Sequence, residues 1–424
     1  MKKIIYIIYC IATLLVSSCV SEQVDVFSAS PAERLNKAMK ADADSLLHAD
    51  NGWAMEYFAT TGSAGYTLLV KFNKSGMALI AGKSELTGNI MITDSCLFEI
   101  IGDNGPVLTF NTFNKVLNAF SNPVSPDGYG LEGDYEFIVE KTTTNQIVLK
   151  GKKRGTTILL NKIPQNTTWK QYFDGIDTMN TFLFSGSTNS LNLISGADTL
   201  VAYYGSTHKF RVTKPGEDPK LLGNDYPFIV TNYGLRFQTM DSLNNYSFQN
   251  FKLSDDKKRL ISTENPAVYF TGPILNKYLY SDLSLWKADA NQMSDNFKTT
   301  IKNLSDALIV KYLGKRNFEY IAVTNKSIYA NSILIRVTGV DAIYRIIFFP
   351  VSGTTDRIMI SLPLDNANLY DNNGKKFYTE VPAIKTTLDA FCGEYVVTSE
   401  LPLNVKSVKY TRVDNPLQYF VVNR

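Results

Sequence analysis

The residues best suited to chemistry are few. The chain holds two histidines, His48 and His208, and four cysteines, Cys10, Cys19, Cys96 and Cys392. Two imidazoles cannot build a His-Glu-x-x-His motif, a histidine-rich cluster or a Cys/His zinc pattern, so no metal and no cofactor are expected. A Ser-His-Asp triad would need one of the two histidines, and no Gly-x-Ser-x-Gly elbow presents a serine. His48 falls on a predicted helix, where a packed or solvated side chain accounts for it. His208 follows Gly205-Ser206-Thr207 and precedes a strand, which predicts an exposed turn. Asp134 and Glu136 alternate with Tyr135 and Phe137, so a strand would put both carboxylates on one face. Paired carboxylates serve glycoside hydrolysis. Alternation alone, however, yields a polar face toward water opposite a buried aromatic face, and that reading is preferred. Gly76-Met77-Ala78-Leu79-Ile80-Ala81-Gly82-Lys83-Ser84 misses the phosphate-loop spacing by one residue and reads as a strand. No catalytic residue is assigned, and a non-enzymatic protein is expected.

The definite chemistry lies at the N-terminus. Lys2 and Lys3 precede the uncharged apolar run Ile4 to Val16, and Val16-Ser17-Ser18-Cys19 closes the segment. The run is too short for a spanning helix, which needs roughly 20 apolar residues, and suits a secretory signal. The closing tetrapeptide lacks an Ala-x-Ala site and resembles the lipobox of bacterial lipoproteins. That resemblance implies a diacylglycerol thioether on Cys19 and cleavage before it, and several acyl chains on one residue give stable anchoring. Cys10 would leave with the signal, so Cys96 and Cys392 remain, two separate core residues rather than a disulfide framework.

Residues 1–18 are thus read as signal peptide and 19–29 as a lipidated tether. The chain has 43 basic and 40 acidic residues, and losing Lys2 and Lys3 takes its formal charge from +3 to +1. Such balance excludes a nucleic-acid partner. Hydrophobic content of 44% with 20% charge fits a globular chain, and 424 residues exceed the roughly 250 that one core usually serves. Abundant Tyr and Phe favour pleated, half-buried surfaces, so a mainly β (α+β) fold is expected.

The positioning elements follow from periodicity. Ser30-Pro31-Ala32-Glu33 is a capping box opening a helix with Leu35, Met39, Leu46 and Leu47 on one face, stopped by Asn51-Gly52. The period then changes to two, with hairpin turns at Asn73-Lys74-Ser75-Gly76 and Asp103-Asn104-Gly105. Pro123 to Gly133 reads as a loop. Trp169, Tyr172, Phe173 and Ile176 mark a second helix whose apolar stripe is core. Further strands follow, then a third helix from about Ser294 to Leu313 with Phe297, Ile301, Leu304 and Leu308 inward. Asp371-Asn372-Asn373-Gly374 is expected to be a turn. The result is antiparallel meander sheets or barrel-like lobes, each preceded by an amphipathic helix. The N-terminal lobe would span 30–270 and a C-terminal helix-plus-β lobe 271–424.

Several stretches together resemble a known family. Ser30 to Leu35, Asn51-Gly52-Trp53-Ala54-Met55-Glu56-Tyr57, Gly105 to Asn111, Gly133 to Val139 and Gly234-Leu235-Arg236-Phe237 are similar to domain of unknown function 4302. This family comprises uncharacterised lipoproteins of the Bacteroidota. The resemblance implies an outer-membrane setting beside importers of the SusC/SusD type, and it carries over no catalytic residue. The expected function is binding of a nutrient (glycan or peptide) or a partner protein. An adhesin or pilin-like subunit is the second reading, and a carboxylate-dependent hydrolase the third. Only Glu22 and Asp25 follow Cys19 as acids, so cell surface and periplasmic face both stay open. Cys19→Ala should abolish incorporation of labelled palmitate; a variant that still labels would remove the anchor assignment.

Overall fold

The computed structural model describes residues 29–122, 131–185, 189–205, 208–243, 245–281, 285–324, 331–364 and 369–424. The signal segment, Cys19, nearly all of the tether and most of the 123–133 loop lie outside the described residues. Among the described residues no helix is long and apolar enough to cross a membrane.

Helix α1 (Pro31–Leu47) starts as its capping box requires: Ser30 Oγ accepts from Glu33 N–H, and the Glu33 carboxylate accepts from Ser30 N–H at 2.9 Å. It ends at His48, a turn before Asn51-Gly52, and Gly52 at φ +84° swings the chain into the first strand. Eight antiparallel strands follow: β1 (Trp53–Phe58), β2 (Gly65–Phe72), β3 (Met77–Gly82), β4 (Ile92–Gly102), β5 (Pro106–Phe110), β6 (Glu136–Thr142), β7 (Gln146–Gly151) and β8 (Thr157–Lys162). Pairing of β8 with β1 closes them into a barrel. Trp53, Met55 and Tyr57 point into its core beside Leu68, Val70 and Phe137. Trp53 Nε1 donates to Leu46 O at 2.9 Å, tying α1 to the barrel.

Helix α2 (Trp169–Phe184) has a second capping box, formed by Thr168 and Gln171. Its apolar stripe serves two masters. Tyr172 and Phe173 pack on Ala54, Leu69, Ala81 and Ile163 of the first barrel's outer surface, while Met179 and Leu183 enter the core of the second barrel. That barrel comprises β9 (Ser190–Ser195), β10 (Asp198–Tyr204), β11 (Lys209–Thr213), β12 (Asn224–Thr231), β13 (Gly234–Leu243), β14 (Tyr246–Leu253), β15 (Leu260–Ser262) and β16 (Val268–Thr271). It closes through β16 on β9, and its core is largely phenylalanine, including Phe210, Phe228, Phe237 and Phe270.

A nine-stranded antiparallel sheet follows between Leu285 and Asn423. Its edge strands, Val340–Arg345 and Ile347–Pro350, are consecutive in the chain, so the sheet curls back toward itself. The third expected helix is present at Asp295–Lys311, but after the first strand of this unit (Leu285–Ala288) rather than before it. Phe297, Ile301, Leu304 and Leu308 fill the sheet's hollow as expected. The Asp371–Gly374 stretch is not a hairpin turn. Asp371 accepts from Gly374 N–H at 2.6 Å and caps helix Asn372–Glu380, because Phe377 gives this segment a core contact to hold. A neighbouring helix, Ala383–Phe391, buries Ile384, Leu388 and Phe391.

The mainly β, antiparallel architecture with barrel-like sheets is therefore as the sequence predicts, and two closed barrels lie within residues 30–271. The C-terminal unit docks by insertion. Leu403, from the turn Pro402–Asn404, is fully buried in the second barrel's core, and a side chain at Gly272 would collide with Pro402 O.

Candidate functional site

The two barrels meet on their outer surfaces, and a cleft opens beside the seam. All six residues of β1 are buried, because Ala54, Glu56 and Phe58, which face away from the first core, are covered. On β13, Leu235 and Phe237 point into the second core, which sends Arg236 outward toward the first barrel. There the Arg236 guanidinium pairs with the Glu56 carboxylate, with side chains 1% and 3% exposed. Asn161 Nδ2 donates to Glu56 Oε1 at 2.8 Å, and the guanidinium lies 5.2 Å from the centre of the Phe58 ring. Arg236 Nη2 has no hydrogen-bond partner among the described residues. A second tie joins the barrels: Gln238 Nε2 donates to Thr60 O at 2.8 Å, and Gly62 N–H donates to Gln238 Oε1 at 2.7 Å. Gly65 permits the close approach, since a Cβ there would sit 2.6 Å from Ile229 Cβ and from the Phe58 ring.

The ion pair lies one strand from the cleft on each side. Glu56 registers with Thr67 on β2, and Arg236 with Ile229 on β12; Thr67 and Ile229 both line the cleft. Its volume is ≈ 480 Å³, within the roughly 300–1,000 Å³ of small-molecule sites. One wall is a face of α2, with Phe173, Ile176, Asp177, Asn180 and Thr181 at helical spacing. The first barrel contributes Tyr66, Lys83 and Glu85, and the second His208, Ile229 and Val230.

The charges of the cleft are largely matched. The Lys83 ammonium pairs with the Asp177 carboxylate across the gap between first barrel and helix. Tyr66 donates to Glu85 Oε1 at 2.6 Å, and burial, then the Glu85 charge, pushes its phenol up. Burial pushes the His208 imidazole below its ordinary value, against the opposing pull of Glu85. Asn180 Oδ1 is buried without a hydrogen-bond partner among the described residues.

The expected site residues are placed elsewhere or differently. His48 is exposed at the end of α1, its Nδ1 2.5 Å from Asp44 O. His208 is no exposed turn residue: it is half-buried with φ +48° and lines the cleft beside Phe228. Asp134 and Glu136 do not share a solvent face. Asp134 precedes β6, is buried, and accepts from Arg154 N–H at 2.8 Å, whereas Tyr135 is exposed and Glu136 pairs with Lys152. The alternation begins only at Glu136 because Tyr57 Oη donates to Asp134 O at 2.9 Å and draws that residue inward. Burial raises the Asp134 carboxyl, with Arg154 and Lys153 opposing it. Cys96 and Cys392 are both free thiols, and burial pushes Cys96 up to about 11. Met77–Gly82 is a strand, as its residues predict, and the Lys83-Ser84 that follows belongs to the cleft wall. Among the described residues no three His, Cys, Asp or Glu side chains are grouped to hold a metal.

These features define a tandem-barrel protein with a polar-rimmed cleft at the barrel seam. The chain belongs to the family described as "Domain of unknown function (DUF4302)", whose model matches residues 23–255. That match covers the first barrel and ends after β14, before the closing strands of the second. No curated protein matches the chain. Among solved structures, the β subunit of DNA polymerase from Streptococcus pyogenes aligns at 10% identity over 91% of this chain and 97% of that one, with a TM-score of 0.13. Transferrin binding protein B from serogroup B Neisseria meningitidis gives 10% identity, 88% and 74% coverage, and a TM-score of 0.15. The β subunit of DNA polymerase III from Thermotoga maritima gives 8%, 92% and 97%, and 0.12. Scores this low do not amount to a shared fold.

A base whose folded pKa is depressed costs stability as it protonates, so the His208 contribution is full above its ordinary 6.5 and falls as the pH drops below it. In a proton NMR titration the His208 ring should show a midpoint below 6.5. A midpoint at or above that value would mean that the ring is solvated and not packed into the cleft.

Proposed function

We propose that the chain is a lipid-anchored, non-enzymatic outer-membrane protein that takes a small nutrient, a glycan or a peptide, into the inter-barrel cleft beside a SusC/SusD-type uptake system. The observation that carries the binding reading is a cleft of ligand size beside a buried ion pair that joins the two barrels. Small-molecule sites have this form: apolar walls, a few convergent polar groups and a preformed shape. The anchor reading rests on Lys2, Lys3, the apolar run to Val16 and the Ser17-Ser18-Cys19 site.

The competing readings have less support. Subunit polymerisation by strand addition needs an open sheet edge. Both barrels are closed, and one of the two edges of the C-terminal sheet, Val340–Arg345, is covered by 369–371 through Arg345 N–H to Leu369 O at 2.7 Å and Asp371 N–H to Ile343 O at 3.1 Å. A carboxylate hydrolase would draw on Asp134, which is already committed to backbone N–H groups in the first barrel.

Thr181 is an exposed cleft residue on α2, so Thr181→Arg fills the cleft without touching a core. Labelled full chain in detergent, applied to arrayed oligosaccharides and short peptides, should be retained by one class. Thr181→Arg should lower that retention at least about tenfold, a loss of roughly 1.4 kcal/mol. Retention unchanged by Thr181→Arg would rule out the cleft as the binding site.

A further inference from the structure

Helix Asp295–Lys311 buries Phe297, Ile301, Leu304 and Leu308 in the hollow of the C-terminal sheet, and at its end the pattern reverses. Ile309, Val310 and Leu313 stand 41%, 75% and 86% exposed. Helical spacing groups these side chains on one flank, and Val310 points away from the core because it lies about 200° around the axis from Leu308. Leu313 has φ +52°, the left-handed region where glycine or asparagine ends a helix without strain. Gly314 follows at +75°, and its N–H closes the turn on Ile309 O at 2.9 Å. A leucine in this position gains nothing from the chain's own packing, since it lies almost wholly in solvent.

Cations flank this apolar tip. No acid occurs from Ala307 to Phe318, a run that holds Lys311, Lys315 and Arg316. Lys311 and Lys315 are exposed, and Arg316 Nη1 donates to Thr338 O at 3.2 Å. Helix Asn372–Glu380 meets the same end through the Tyr312 and Phe377 rings, 5.8 Å apart, and adds exposed Lys375 and Lys376. Neighbouring acids are already held: Asp306 by Lys302 at 2.5 Å, Glu380 by Tyr312 Oη at 2.6 Å, and Glu319 and Asp341 by Arg336 at 3.5 and 2.6 Å.

We propose that this helix end is a membrane contact: Ile309, Val310 and Leu313 enter the interface of an anionic bilayer, while the lysines and Arg316 meet lipid phosphates. Interfacial segments combine an apolar face with flanking cations in this way, and each cation near an anionic surface adds to the attraction. Lysine stems can follow the aliphatic side chains inward while their ammonium groups stay at headgroup level. A projecting tip with flexible cations suits a fluid surface, whereas a protein partner would need a fixed complementary shape. The contact depends on neither the cleft nor the lipid on Cys19. In a chain tethered at Cys19 it would add a second point of attachment and so set an orientation.

Quenching of tryptophan by brominated lipid tests the contact. Full chain carrying Leu313→Trp is mixed with vesicles of brominated phosphatidylcholine, with or without about one third phosphatidylglycerol to supply the negative surface. Trp53 and Trp286 are buried, so the parent chain gives the background. Leu313→Trp should be quenched beyond that background on the anionic vesicles and not on the neutral ones. Adding Lys311→Gln and Lys315→Gln should lower the contact constant roughly tenfold and remove most of the excess. Excess quenching that is equal on both vesicles, or untouched by the lysine substitutions, would overturn the anionic surface. No excess on anionic vesicles, or a full chain that does not float with them, would overturn the contact itself. A dimer in detergent that Leu313→Ser dissolves, without excess quenching, would assign the face to a second copy and overturn the lipid assignment.

Discussion

A carboxylate and a guanidinium buried between two barrels set the geometry of this molecule. Taking each charge out of water costs several kcal/mol, and mutual attraction offsets that only with good geometry and further hydrogen bonds. Glu56 has both: Arg236 on one oxygen and Asn161 on the other. Asn161 is itself held by Gln146 Nε2 at 2.8 Å, so the carboxylate is steadied by the first barrel before the second arrives. Gly65 leaves no room for a side chain between Ile229 and the Phe58 ring, so the two barrels approach closely beside the pair. Its value is thus specificity of docking more than net stability. Two barrels with apolar outer patches could pack in several orientations, and one orientation leaves neither charge unpaired.

The cleft is a consequence of that docking. Its walls belong to β2, the turn after β3, α2 and β12, which come together only when the barrels sit in this register. Helix α2 acts as the third body, lying on the first barrel through Tyr172 and Phe173 and closing the second through Leu183. Leu403 extends the same logic to the C-terminal sheet, which plugs the second barrel from outside the family-matched stretch. In the proposed function, the lipid on Cys19 would place this assembly at a membrane.

Much of the fold was legible because local chemistry and global structure agree. The Ser30–Glu33 box, the Asn73–Gly76 turn, the strand alternation and the stripe of Phe297, Ile301, Leu304 and Leu308 each reflect neighbours within a few residues. The site was not legible for the opposite reason. Glu56 and Arg236 stand in alternating strand positions that ordinarily face water, and they are 180 residues apart. Both lie in stretches that carry the family resemblance, yet nothing in their spacing says that they meet. His208 reads as a turn because Gly205-Ser206-Thr207 precede it, and its burial comes from α2 and β12 closing over it. Asp177 and Asn180 were reachable in principle, since helical phase puts them on the face of Phe173. What that face looks onto depends on barrel closure through β8–β1 and β16–β9 pairing, and closure leaves no local signal.

The Glu56–Arg236 pair locks the barrels together, and a double-mutant cycle on unfolding free energy measures its strength directly. Glu56→Gln and Arg236→Met should each destabilise the full chain by about 3–5 kcal/mol by stranding the other partner. The double variant should cost much less than their sum, giving a coupling of roughly 2 kcal/mol or more. Single effects that simply add, within about 0.5 kcal/mol, would mean that the two side chains do not depend on each other and that something else holds the cleft in shape.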